Sequence, residues 1–133
     1  MGNLGETSEI KVERDESRGV VYFRVPDRAP TEEIIRTLSS TIAGTSEDRA
    51  ARVIIDFTAI TMAASGGFDE MRKVSGYVDR IQHMRSGARW ALVAPADVAF
   101  GLARMFEILT ADMQVEVMAF RSEEEALAWL GTR

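Results

Sequence analysis

The segment Arg52–Phe68, RVIIDFTAITMAASGGF, narrows the choice of fold more than any other part of this chain. Its β-branched run Val53-Ile54-Ile55 has no polar alternation, which predicts a strand buried on both faces, as in parallel sheets. Asp56 ends the run, a Thr/Ala-rich link follows, and Ser65-Gly66-Gly67 leads into a helical pattern from Phe68. A buried strand that passes through small residues into a helix is where α/β domains commonly keep their sites. Helix N-terminal amides point at whatever lies there.

The flanking patterns extend this unit in both directions. Ile10–Arg14 alternates apolar and polar residues and predicts a half-buried strand with Ile10 and Val12 inward. Asp15–Gly19 reads as a turn with glycine at its exit, and Val20–Val25 as the second strand of a hairpin. After the break at Pro26 to Pro30, Thr31 is placed to cap a helix with Glu32 and Glu33 in its first turn. Its stripe is Ile34, Ile35, Leu38 and Ile42, and Gly44 ends it. The second helix runs from Phe68 to about His83 or Met84, and Gly76 inside it predicts a closely packed neighbour. Trp90–Ala94 is a further buried strand, Pro95-Ala96-Asp97 opens a third helix to about Leu109, and Gln114–Phe120 is the last strand. Ser122 and Glu125 make a capping box for a short final helix before Gly131.

The element order is therefore β-β-α-β-α-β-α-β-α. Helices separate the last four strands, so right-handed crossovers make those strands parallel, with the first antiparallel to its neighbour. The expected architecture is one α/β domain over residues 9–133, with a mixed, mostly parallel five-stranded sheet and about four helices; the polar residues 1–8 should fray.

Composition removes whole classes of chemistry. There is no cysteine and one histidine, His83, so thiolate chemistry is excluded and a triad or a multi-histidine metal site has almost nothing to build on. No catalytic residue, metal or cofactor is expected. A formal charge of −5 without a dense Lys/Arg cluster argues against nucleic acid as the main partner. The first residues lack the pattern of a signal peptide, and no apolar run approaches the length of about 20 residues that spans a bilayer, so a soluble cytoplasmic protein is expected.

Three places remain as candidate sites. Ser65-Gly66-Gly67 reads as a phosphoacceptor, as an anion-binding loop, or simply as a helix cap followed by glycines that let strand and helix approach. Asp56 and Thr58 lie where open α/β sheets make ligand contacts, though capping of loop amides or hydrogen bonding to them is the leading reading of Asp56. The third helix has more apolar surface than one sheet face needs, which points to a partner surface or to one wall of an apolar pocket. Such a pocket, between the second and third helices, would be lined by Phe68, Met71, Phe100 and Met105.

With the element order in hand, the central stretch resembles the STAS domains of anti-sigma-factor antagonists, the SpoIIAA-like family. Ile54-Ile55-Asp56-Phe57-Thr58 and Met62-Ala63-Ala64-Ser65-Gly66-Gly67-Phe68 carry the likeness in one register. Phe100-Gly101-Leu102-Ala103-Arg104-Met105-Phe106 and Glu125-Ala126-Leu127-Ala128-Trp129-Leu130 are similar to a subgroup placed with the CRAL-TRIO lipid carriers. The resemblance implies a SpoIIAA-like fold and a non-enzymatic regulatory module that binds a protein partner or a second copy of itself. The alternative it implies is a carrier or sensor of a lipid-like molecule. Ser65 occupies the position that is phosphorylated in signalling members, and Ala64 stands where the family has aspartate.

Overall fold

The computed structural model of the chain describes residues 10–26, 32–37, 52–59, 67–81 and 88–131, with the side chains of 67–71 and 81 excepted. Five strands form one sheet: β1 (Lys11–Asp15), β2 (Val20–Arg24), β3 (Arg52–Asp56), β4 (Arg89–Val93) and β5 (Glu116–Phe120). Residues 32–37 are helical (α1) and are followed by α2 (Gly67–Ile81), α3 (Asp97–Leu109) and α4 (Glu123–Leu130).

The hairpin β1–β2 closes as its turn residues dictate. Gly19 has φ +69°, a left-handed conformation that L side chains resist. Asp15 holds the turn from inside, its backbone oxygen accepting from the Gly19 amide at 2.8 Å and its carboxylate from the Ser17 hydroxyl at 2.8 Å. That hydroxyl lowers the Asp15 pKa from its ordinary value; desolvation opposes it, and the Arg18 amide and charge add to the lowering.

Strand order in the sheet is the order of the chain, β1-β2-β3-β4-β5, with β1 antiparallel and every later pair parallel. Three crossovers of the same hand, each stepping one strand in the same direction, put their helices on one face. The packing agrees: Val21, Phe23, Val53, Ile55, Trp90 and Leu92 share one core with α2 and α3, and Ile34 and Ile35 of α1 pack against it. The alternate residues Val20, Tyr22, Ile54, Ala91 and Val93 point the other way and, among the described helices, meet α4 through Ala126 and Leu130.

The helix ends follow from their sequences. Ser122 Oγ accepts from the Glu125 amide at 3.2 Å, and Gly131 closes α4 at φ +83°. Arg89 and Arg52 then donate to the last α4 carbonyls, Trp129 O at 2.8 Å and Leu130 O at 3.1 Å, placing cations at the negative end of the helix. α3 has no side-chain cap at Ala96; the buried Thr110 hydroxyl donates to Phe106 O and Glu107 O at its far end.

Three expectations change. Val12 points to the core face opposite Phe23 but stays 38% exposed, because β1 is an edge strand. A Cβ added at Gly76 would have nothing within 4 Å, so no close neighbour requires that glycine. The last strand begins at Glu116 rather than Gln114. The helix end at Gly44, His83 and residues 1–8 lie outside the described residues.

Candidate functional site

The parallel strands β2 and β3 both end in a charged residue, and their register sets those residues side by side, Arg24 against Asp56. Both sit on the face that carries α4. Arg24 Nη1 donates to Asp56 Oδ2 at 2.9 Å and to Glu123 Oε1, from the first turn of α4, at 3.0 Å. Its Nε and Nη2 lie 3.4 Å from Glu13 Oε1 on β1, and its plane covers the Tyr22 ring at 4.5 Å. One guanidinium thus joins three strands and a helix.

Asp56 is committed on both oxygens. Oδ1 accepts from the Thr58 amide at 2.9 Å and from the Thr58 hydroxyl, and Oδ2 holds Arg24. Burial works to raise its pKa, but the bonds from Thr58 and Arg24 outweigh burial and hold it below the ordinary carboxylate value. Burial likewise works against the Arg24 charge, and its bonds to Asp56 and Glu123 override that and raise its pKa. Across the ring from Arg24, burial first and the Glu123 charge second raise the Tyr22 pKa.

Beside this network, at the carboxyl ends of the strands, opens a cleft of about 370 Å³. Lys11, Arg24, Asp56 and Thr58 give it polar walls, and Val25, Pro26 and Ala59 give it apolar ones. It lies outside the strand ends, the usual position for ligands in open α/β sheets.

Of the residues singled out from sequence, Asp56 and Thr58 are brought together here as a local capping turn that also borders the cleft. Ser65 and Gly66 lie outside the described residues, and Gly67 is the first residue of α2. Phe68 and Met71 are in α2, with side chains outside the description. α3 does not bring Phe100 and Met105 together: five residues apart, they project about 140° from one another around the helix. Phe100 packs against the main core under the Arg121 guanidinium, 4.2 Å from its ring centre. Arg121 is fixed by Asp97 Oδ1 at 2.6 Å and Pro95 O at 3.0 Å. Met105 is half-buried on the flank that also carries Val98 and the 67%-exposed Ile108.

Reading the sequence missed Arg24, Glu13, Lys11 and Glu123. A signal existed for the first: once β2 and β3 are taken as parallel neighbours, their terminal opposite charges fall beside each other. Nothing local marks Glu123, which is 99 residues from Arg24. Among the described residues no group of three or more His, Cys, Asp and Glu is arranged to hold a metal ion, and no helix is long and apolar enough to cross a membrane.

No protein-family model and no curated protein matches the chain. Among solved structures it is similar to an uncharacterized protein of the DUF3478 family from Shewanella loihica PV-4, described as having a SpoIIAA-like fold. The superposition covers 92% of each chain with a TM-score of 0.55 at 17% identity. At that identity the likeness concerns the fold, and the fold of this chain is SpoIIAA-like.

Proposed function

We propose that this SpoIIAA-like domain is a regulatory module that acts by binding a protein partner, without catalysis, and that the outward flank of α3 is its contact surface. One observation carries the reading. Val98, Met105 and Ile108 follow one another at helical spacing, and Val98 and Ile108 are 46% and 67% exposed. Large side chains that leave the core in a row, on a helix whose inner face is already filled by Ala99, Ala103 and Phe106, suit a partner surface. The absence of catalysis in this reading draws support from the strand ends, where the Asp56 carboxylate is already engaged by Thr58 and Arg24. Phosphorylation of Ser65, at the amino-terminal side of α2, is the regulatory part of the proposal and rests on the resemblance in sequence.

The test is a photo-crosslinking amino acid placed at position 108 in cells, with position 124 on the exposed side of α4 as the control. A discrete protein adduct from 108 and none from 124 is expected, and Ser65→Asp should change its yield. No adduct from 108, or the same adducts from both positions, overturns the proposed surface.

A further inference from the structure

Lys11 and Arg24 stand directly opposite each other in the β1–β2 ladder, two like charges on one face of the sheet. Such pairs are unfavourable unless anions draw the charges apart. Arg24 has its anions in Asp56, Glu123 and Glu13. The Lys11 ammonium forms no hydrogen bond or ion pair with any of the described residues, although it stands in the wall of the 370 Å³ cleft. Of the cleft's charged walls, Arg24 is shared by three carboxylates and Asp56 is held by Arg24 and Thr58, so the charged group left without a partner among the described residues is the Lys11 ammonium. Next to that charge the lining turns apolar, with Val25, Pro26 and Ala59. The Val25 amide is spent on Asp56 O at 3.0 Å, and Asp56 on Arg24 and Thr58, so the walls hold few other free donors.

We propose that this cleft binds a small organic monocarboxylate, its head group on the Lys11 ammonium and a short apolar body against Val25, Pro26 and Ala59. The single unpartnered ammonium selects one carboxylate head group. A phosphate dianion would bring a second negative charge beside the Asp56 carboxylate, and a cation would find both Asp56 oxygens already engaged. The volume is at the small end of ligand sites, roughly 300–1,000 Å³, which limits the body to a few carbons. This site lies at the strand ends, apart from the flank of α3, and its test does not depend on the partner surface proposed there.

The experiment is a titration of the isotope-labelled full chain by amide NMR with hexanoate, alongside hexylamine and hexanol at the same concentrations. Saturable shifts at Lys11, Val25 and Ala59 with hexanoate, and none with the other two, are expected. Lys11→Ala should weaken hexanoate about tenfold, the scale of one charge-assisted contact, while Lys11→Arg stays within a few-fold of the native affinity. Lys11→Ala should fold normally, since Lys11 is exposed and its loss removes the like-charge pair. No saturable shift with hexanoate overturns the proposal. Equal binding of hexanol or hexylamine, or unchanged affinity in Lys11→Ala, overturns it as well.

Discussion

The two faces of the sheet are built on different terms. One carries α2 and α3 over Trp90, Phe23 and Val53, with α1 packed against that core, and is held by apolar contact. The other carries the eight-residue α4, whose buried anchors are Ala126 and Leu130, and is fastened at its rim by arginines. Arg24 grips its first turn through Glu123, and Arg52 and Arg89 grip its last carbonyls. The contrast follows from topology. Three crossovers of one hand must share a face, which among the described helices leaves α4 for the other. A face with little apolar area to bury makes up the difference with directional polar bonds, and polar groups gathered there are also the ones available to a ligand.

The largest expected effect lies on the thick face. Trp90→Ala should lower stability by about 3–5 kcal/mol in urea unfolding, as for other fully buried large side chains. Leu130→Ala should lower it by about 2–3 kcal/mol and, unlike Trp90→Ala, speed hydrogen exchange in α4 ahead of the rest. Equal acceleration everywhere would mean that the two faces unfold as one. Trp90 sharpens the point further, since its Nε1 is buried with no hydrogen-bond partner among the described residues. Trp90→Phe should therefore lose less than its change in volume suggests, because it removes an unmet donor.

Next comes the polar rim. Arg24→Met should destabilise by about 1–3 kcal/mol, chiefly by leaving Asp56, 14% exposed, without its cation. The more exposed Glu13 and Glu123 add little to that figure. Asp56 gives this prediction a pH signature. Its folded-state pKa lies below the ordinary value of 3.8, so its contribution is complete above that value and fades as pH falls through the folded-state value. The stability gap between the native chain and Asp56→Asn should be widest near neutrality and close in acid; a gap that widens in acid would show that the bonds from Thr58 and Arg24 do not hold the carboxylate in its charged form.

Smaller effects come from the helices themselves. Ser122→Ala should remove about 1 kcal/mol by uncapping α4. Gly76→Ala and Gly101→Ala should each add about 0.5–1 kcal/mol in thermal unfolding, because a Cβ at either position meets nothing and helix propensity improves. If Gly101→Ala also abolishes crosslinking from position 108, the glycine serves the partner and not the fold.

The elements were largely legible because they are written in local periodicity. The β-branched run at Val53, the capping box at Ser122 and the turn at Gly19 each announce a backbone state by residue type. Val12 and Gly76 were misread for one reason: periodicity gives a side chain's direction but not whether anything stands opposite it. At the strand ends Asp56 and Thr58 were legible as a pair, two residues apart. Arg24, Lys11 and Glu123 were not, since their meeting depends on register and on which face α4 chooses, both tertiary outcomes. Phe100 and Met105 show the converse, neighbours in sequence that the helix turns apart.

Because each strand lies beside the one made just before it, the sheet can grow in the order of synthesis, every new unit finding an edge already in place. Among the described elements α4 reaches back farthest along the chain, its Glu123 to Arg24 and its Leu130 carbonyl to Arg52, 99 and 78 residues away. The latest of the described elements to be made is thus the clasp, and a chain cut short before Ser122 would carry a nearly complete sheet with Ile54, Ala91 and Val93 laid open to aggregation.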